Sequence, residues 1–588
     1  MREGLNACIL SDNIPSDSLL STLHRDRYYK RITYLKGSCL SDRDLTRAKA
    51  DAAIAVFICA DLYARDAEEM DRQTVLRCLS IKSYNPGVKV YVQLLKPENK
   101  TMLTSVGKHV HIICANEIKM GLLTKNALMP GFCSLICDLF RATNVNALQS
   151  IELHSEARAE FVCGFTSEFV KGKILKCFIG SKFSRVAKLV YTELGVLFLG
   201  VVNQESSCLL NPGSSYRLTG REVGLFITTD YDLVYNMESH LEQNQLKGLA
   251  APDSPPRSRP RPKSTAFRHY SIRTSAENRN FLRTRSVHTL SKTLHTLSTP
   301  RNLKEATINS ISDMKNPLSN HIVVTGNLSE WFYIVAPLRT ICLSNIAPIV
   351  FLYPEEPTQS LWNEIASFPE VYFIKGSSLQ RSALERAGVD KSKCVIILCN
   401  RLTPDKQKIQ DRNAVLTYAL VRRQFPKTEV LVELAHLSSL SLLREPEESH
   451  FREYRTIPYV CNAYSSGTVY DPTFMDSLMG YAFFNRYAIG ALRNLVLWSE
   501  NTSESREGTN VYLLPIPIEF INETFSSLVE GLLSDDILPL ALQRSKSGNT
   551  QGRYVYTCPL PDTIIETTDK VFVLSASSQI EQYQTQFE

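Results

Sequence analysis

Along this chain, short apolar runs alternate with longer stretches in which apolar positions recur every three or four residues. "AIAVFIC" (53–59) and "KCVIILC" (393–399) are nearly continuous apolar segments. That is the pattern of strands buried on both faces of a parallel sheet. "DAEEMDRQTVLRCLSIKSY" (66–84) and "QKIQDRNAVLTYALVRRQF" (407–425) have helical periodicity and lead into Asn85-Pro86 and Phe425-Pro426. An X-Pro step disfavours helix at the preceding residue, so both helices are predicted to stop there. "KVYVQLL" (89–95) and "EVLVELA" (429–435) then read as further strands.

These elements occur as two copies. "YLKGSCLSDRDLTRAKADAAIAVFICA" from Tyr34 returns 339 residues later as "FIKGSSLQRSALERAGVDKSKCVIILC" from Phe373. Leu45, Arg47, Ala48 and Asp51 pair with Leu384, Arg386, Ala387 and Asp390. After a one-residue insertion, Asp71-Arg72 pairs with Asp411-Arg412, and Pro86 falls on Pro426. Each copy alternates strands and helices, which predicts a doubly wound α/β unit present twice. The second copy opens with "HIVVTGNLSEWFYIVAPLRTICL" (321–343), a strand, a turn at Gly326 and a helix. Nothing in the first copy matches His321 to Leu343, which enters instead at "NACIL". The expectation is that a strand and helix belong ahead of Met1, and that the first sheet carries an exposed strand edge.

A helical pair and a β-rich lobe follow each unit. "EIKMGLLTKNALMPGFCSLICDLFRA" (117–142) breaks at Pro130-Gly131, after which Phe132, Leu135, Ile136 and Leu139 form an apolar stripe. "PTFMDSLMGYAFFNRYAIGALRNLVLW" (472–498) breaks near Asn485 and carries Phe474, Leu478 and Phe483. These seven side chains are the candidate interface residues. The β lobes end alike, in "LLNPGSSYRLTGREVGLFIT" (209–228) and "YTCPLPDTIIETTDKVFVLS" (556–575). The expected organisation is a first α/β lobe at 1–115, a helix pair at 116–145 and a β lobe at 146–240. A linker at 241–318 precedes the second α/β lobe at 319–436, then a loop region and helix pair at 437–500, and a last lobe at 501–588.

Charge and composition change this picture in one place. The net charge is +6, yet residues 247–304 alone hold 13 Lys or Arg against Asp253 and Glu277. The basic balance therefore belongs to the linker, and nucleic-acid binding is not implied. Its "APDSPPRSRPRPKST" and "RTRSVHTLSKTLHTLSTPR" are too poor in large apolar residues to order themselves. Ser264 and Ser286 follow Arg-x-x-Ser spacing, though a solvated tether is the simpler reading. The 15 cysteines include no C-x-x-C and sit mostly in apolar runs, as small buried hydrophobes do in a reducing compartment. No run approaches ~20 clean apolar residues, so no transmembrane helix is predicted and a soluble chain is expected.

Catalytic signatures are scarce. A dinucleotide fold needs G-x-G-x-x-G after its first strand, and here Gly326 stands alone, with Asn327 and Glu330 at later positions. No G-x-x-x-x-G-K-[ST], H-E-x-x-H or G-x-S-x-G occurs. The acids of "DAEEMD" (66–71) suit the first turn of a helix, and the repeated Asp71-Arg72 and Asp411-Arg412 read as packing residues.

Two tandem α/β units, each with a crossing helix pair and a β lobe, resemble the cytoplasmic gating ring of Slo-family potassium channels, which carries paired RCK domains (regulators of potassium conductance). The stretches that carry the resemblance are "YLKGSCLSDRDLTRAKADAAIAVFICA", "LSIKSYNPGVKVYVQLLKPENK", "LLNPGSSYRLTGREVGLFI" and "AYSSGTVYDPTFMDSLMGYAFFN". The resemblance implies Rossmann-like units, a non-enzymatic regulatory role and self-assembly of four chains into a ring of eight units. It also implies a potassium-channel pore domain as partner, and a place at the cytoplasmic face of the plasma membrane. Calcium is the ligand it suggests. The family's calcium loop corresponds here to "LLREPEESHFREYRTIPYVCNAYSSG", whose candidate ligands are Glu445, Glu447 and Glu448. They are interleaved with Arg444, Arg452 and Arg455, as on a salt-bridged surface, and Lys188 stands where the calcium-activated branch has an acid. No metal site or cofactor is therefore assigned. The alternatives are a nucleotide-dependent α/β enzyme and a soluble ring-forming RCK protein without its own pore.

Overall fold

The computed structural model describes residues 5–141, 156–241, 294–399, 411–444, 458–498, 508–545 and 552–584, apart from a few isolated positions within them. Glu445, Glu447, Glu448, Ser264 and Ser286 lie outside the described residues.

The first α/β unit contains β1 (Ala7–Ser11), β2 (Ile32–Lys36), β3 (Ala55–Ile58), helix α1 (Ala67–Tyr84), β4 (Lys89–Leu94) and β5 (Val110–Cys114). Helices α2 (Ala115–Leu128) and α3 (Phe132–Leu139) follow, then α4 (Glu156–Phe165). The first lobe is β6 (Glu168–Lys173), α5 (Phe183–Leu194), β7 (Leu197–Val202), β8 (Cys208–Leu210) and β9 (Val223–Thr228). The second unit contains β10 (Ile322–Thr325), α6 (Trp331–Val335), β11 (Ile349–Tyr353), β12 (Val371–Lys375), β13 (Cys394–Ile397), α7 (Arg412–Gln424), β14 (Glu429–Glu433) and β15 (Val469–Tyr470). Then come α8 (Phe474–Phe484), α9 (Ala488–Val496), β16 (Thr509–Pro515), α10 (Phe525–Ser534), β17 (Leu538–Ser545), β18 (Arg553–Thr557) and β19 (Lys570–Ala576).

The second sheet is parallel throughout, in the order β12-β11-β10-β13-β14-β15. Its strands are apolar on both faces because helices cover both sides; Ile322, Val323, Ile349, Val350 and Val395 are fully buried. The first sheet repeats the order but is divided. Among the described residues β1 pairs only with β2, and β3-β4-β5 forms a separate parallel sheet. The missing strand predicts an exposed strand edge on this sheet. Among the described residues the facing edges of β1 and β3 are both unpaired, at the place where the second unit has β10.

The repeated aspartates brace each unit in the same way. Asp71 accepts hydrogen bonds from the Leu95 and Lys96 amides at 2.7 and 2.9 Å and from Asn99 at 2.7 Å. Asp411 accepts from the Ala435 and His436 amides at 2.6 and 3.1 Å. A buried carboxylate there ties the start of a long helix to the end of the next strand, satisfying amides that would otherwise lack partners. Asp66 meanwhile caps α1, accepting from the Glu68 and Glu69 amides.

The lobes share one antiparallel topology, β6-β9-β7-β8 and β16-β19-β17-β18. Residues 294–318, which composition assigns to the linker, pack onto the second unit. The Leu297 amide donates to the Ser367 carbonyl at 2.7 Å, the Ile308 amide to the Phe373 carbonyl at 2.9 Å, and Ile311 is buried. A few apolar anchors suffice for this, and average composition over a long window conceals them.

Candidate functional site: the interface between the two units

The two units exchange helices. From the first unit, α2 packs against α6, β13 and β14 of the second, as well as against α9. From the second unit, α8 returns to the first. Phe483 meets Phe57 and Tyr91 edge-on at 5.9 and 6.1 Å, and the Asn485 amide nitrogen donates to the Phe169 carbonyl at 3.4 Å. The exchange uses repeat-equivalent strand positions. Lys119 on α2 reaches Glu433 on β14 at 3.1 Å, while Gln93 on β4 donates to Asp476 on α8 at 3.0 Å.

The predicted stripe residues are on α3 and α8, helices that also pack against elements of the other unit. Phe132, Leu135, Ile136, Leu139, Phe474 and Leu478 are at most 1% exposed, and Phe483 is half-buried. Burying side chains of this size stabilises by about 1.5–3 kcal/mol each relative to exposure. The helix break at Pro130-Gly131 also has a packing reason. Gly131 has φ +95°, and a Cβ on Gly467 would lie 2.6 Å from the Gly131 Cα, so the two backbones cross where no side chain fits.

Inside this apolar interface sits a polar network that the periodicity did not reveal. Tyr464 donates to Asp138 Oδ1 at 2.8 Å, and Ser134 donates to Asp138 Oδ2 at 3.3 Å. Arg141 donates to Asp471, and also to the Tyr464 hydroxyl at 3.3 Å, with its guanidinium 4.1 Å from the centre of the Tyr459 ring. Asp471 accepts in addition from the Thr473 amide at 2.9 Å. Asp138 and Arg141 come from the first unit; Tyr459, Tyr464 and Asp471 come from the second. Burial pushes the Asp138 carboxyl up to about 7, against the pull of Tyr464 and Arg141. Burial opposes the Arg141 charge, but Tyr464 and Asp471 outweigh it and hold the guanidinium protonated.

Lys125 forms a second polar bridge. Its Nζ donates to the Leu495 carbonyl at 2.9 Å, at the end of α9, and lies 4.4 Å from the centre of the Trp498 ring. Complete burial lowers its pKa to about 7. A cation at a helix C-terminus is favourable, but among the described residues no carboxylate pairs with it to offset its desolvation. An Asp near the end of an otherwise apolar helix with an Arg three residues on, and a lone Lys in "LLTKNAL", were the available sequence signals.

The lobes also pair. Helices α5 and α10 pack together, and Tyr191 donates to the Pro559 carbonyl at 2.7 Å. Asn211 donates to the Asp536 and Leu574 carbonyls at 2.7 and 2.8 Å. Lys188, at the position where a metal-ligating acid was implied, makes an exposed ion pair with Glu530 at 3.0 Å. Among the described residues no cluster of three or more His, Cys, Asp or Glu side chains is arranged to hold a metal ion. Nor is any helix among them long and apolar enough to cross a membrane. The lone Gly326 of the second unit has a packing role: a Cβ there would fall 2.1 Å from the Leu398 carbonyl oxygen, at φ +102°.

Two Rossmann-like sheets with exchanged helices and paired β lobes define a tandem RCK unit of the gating-ring class. Comparison with known proteins agrees. The model for the calcium-activated potassium channel slowpoke-like RCK domain matches residues 3–92 and 317–432, and that for the calcium-activated BK potassium channel alpha subunit matches 110–201. Both α/β units of the chain thus match the slowpoke-like RCK domain. The chain is 24% identical over 651 residues to potassium channel subfamily U member 1 of Rattus norvegicus, covering 92% of this chain and 58% of that protein. The Homo sapiens protein of the same name is 23% identical over 554 residues, covering 80% of this chain and 47% of that one. The chain thus spans about half the length of these relatives. The human SLO3 gating ring superposes with a TM-score of 0.73 at 21% identity, covering 97% of this chain and 99% of that structure.

Proposed function

We propose that this chain is the regulatory module of a Slo-type potassium channel, acting at the cytoplasmic face of the plasma membrane. Four chains assemble their eight units into a ring, and ligand-dependent changes in the ring pull on a pore domain. The observation that carries this reading is the helix exchange. It makes the two units of one chain a single mechanical pair, with Asp138, Arg141 and Lys125 crossing from the first unit to the second. Such a pair shifts a gate only as far as its ligand prefers one arrangement over the other. The segment of sequence holding Glu445, Glu447 and Glu448 is proposed as a weak calcium site at best, with affinity no tighter than roughly millimolar for so few carboxylates. Two measurements test the reading. Native mass spectrometry of the chain is expected to show tetramers. The chain grafted in place of the gating ring of a slowpoke-type channel is expected to support potassium currents. A chain that stays monomeric and a graft that shifts neither current nor voltage dependence would refute it.

A further inference from the structure

We propose that the tip of the first β lobe docks on an anionic lipid bilayer, with Ile179 entering the headgroup layer among Lys173, Lys176, Arg217 and Arg221. Two loops build this tip. One runs from the end of β6 to the start of α5, and the other leads from β8 into β9. The Gly180 amide donates to the Leu218 carbonyl at 2.8 Å and the Phe183 amide to the Tyr216 carbonyl at 2.9 Å, so the loops lie side by side. The Lys182 and Arg217 backbones pair across them, and the Arg217 guanidinium donates to the Gly180 carbonyl at 2.8 Å. A Cβ on Gly220 would fall 2.6 Å from Ile179 Cδ1, which puts the isoleucine side chain over the second loop. Lys173 ends β6 opposite Val223, two residues beyond Arg221.

The four named cations are exposed, and Ile179 is 50% exposed. Among the described residues none of the four forms an ion pair. Glu222 faces inward, buried, and accepts from the Thr219 amide at 3.0 Å and the Tyr216 hydroxyl at 2.9 Å. Glu238, near Cys177, supplies one opposing charge. The second lobe shows that the fold does not require these cations. Its Thr524–Ile564 bridge is the counterpart of Lys182–Arg217, and its turn Ile518–Phe520 is that of Lys176–Phe178. At the places of Lys173, Lys176, Arg217 and Arg221 stand Pro515, Ile518, Ile564 and Thr568. One topology carries four cations on one lobe and none on the other, so the reason for them lies outside the lobe, in a partner of opposite charge.

An acidic peptide or a free phosphate would be met by the cations alone. A bilayer also accepts the apolar side chain. Ile179 sits one turn after Lys176, its amide donating to the Lys176 carbonyl at 3.3 Å, and next to Gly180, where Arg217 is anchored. An apolar side chain flanked by Lys and Arg is the pattern of interfacial binding: the hydrocarbon enters the headgroup boundary while the cations meet the phosphates.

The test is Ile179→Trp in the full chain, titrated with vesicles whose acyl chains are brominated and followed by fluorescence quenching. The basic linker can hold the chain near such vesicles by itself, so the readout is quenching, which needs contact at residue 179. Quenching is expected with phosphatidylserine-containing vesicles and not with phosphatidylcholine alone. Each of Lys173→Gln, Lys176→Gln, Arg217→Gln and Arg221→Gln should raise the lipid concentration for half-quenching roughly fivefold, with an unfolding midpoint close to the parent's. Ile518→Trp, on the equivalent turn of the second lobe, should stay unquenched. Quenching that is absent at residue 179, equal on neutral vesicles, equal at residue 518 or indifferent to all four glutamine variants would each overturn the proposal. So would inositol hexakisphosphate or polyglutamate slowing amide hydrogen exchange at residues 176–182 while anionic vesicles leave it unchanged, a result that would assign the tip to a free phosphate or an acidic protein.

Discussion

Replacing Asp471 with Asn would leave the Arg141 guanidinium buried in the interface with its carboxylate partner gone. The two side chains are 6% and 0% exposed, so water cannot take over from the lost charge. Asp138, which also feels the guanidinium, is pushed toward its neutral form by burial; what else remains for Arg141 is the Tyr464 hydroxyl at 3.3 Å and the face of Tyr459 at 4.1 Å. Neither is anionic, because burial raises the pKa of both phenols. Breaking one side of a buried pair costs about 3–5 kcal/mol, most of it from the charge left behind. The carboxylate's bond from the Thr473 amide at 2.9 Å is weakened as well, adding roughly 1 kcal/mol. Urea unfolding followed by tryptophan fluorescence measures this, because Trp498 stacks near Lys125 in the same interface. The Asp471→Asn midpoint should fall well below the parent's. The double variant Arg141→Met/Asp471→Leu should recover much of the loss, since no unpaired charge is then buried. An unchanged midpoint in the single variant, or a double variant less stable than the single, would refute the reasoning.

Leu478→Ala should cost about 2–5 kcal/mol as a fully buried large-to-small change, whereas Leu416→Ala, at 47% exposed, should stay within about 0.5 kcal/mol; chemical denaturation compares them. Leu478→Asp should go further and raise binding of an apolar dye, as the exchanged helix α8 detaches. Asp138 titrates at about 7 in the folded chain against 3.8 in the unfolded one, so its contribution to stability is complete below pH 3.8 and is lost as pH rises toward 7. Asp138→Asn should flatten that descending limb of a stability–pH profile. Lys125 has the opposite sign: with about 7 folded against 10.5 unfolded, stability rises between those values, and Lys125→Met should remove the rise. Calorimetry on the full chain should show no calcium affinity tighter than roughly millimolar; micromolar binding abolished by Glu447→Gln with Glu448→Gln would overturn that expectation.

The tandem architecture was legible in the residues because each unit writes its burial locally. A run such as "KCVIILC" is apolar at every position when both of its faces are covered, and β13 is buried throughout. The stripe from Phe132 to Leu139 declared a buried helix face, and the Pro130-Gly131 break divided α2 from α3 where expected. The repeated Asp71 and Asp411 stood out because a charge kept at one place in two copies suits a brace.

What periodicity does not encode is the identity of the covering surface. An apolar stripe on α2 satisfies the same pattern against its own sheet or against β13 and β14 of the other unit. Only the fold decided that the helices are exchanged. The partners of Asp138 and Lys125 lie more than 300 residues away, at Tyr464 and Leu495. No spacing rule reaches across such a separation, because chain length says nothing about which surfaces meet. The open edges of β1 and β3 belong to the same class. The residues showed that a strand had no counterpart in the first copy, but the place it would hold, central in the sheet and not at its rim, depends on strand order. Strand order is settled by hydrogen bonds between segments far apart in the chain, and it becomes visible only when those segments have been brought together.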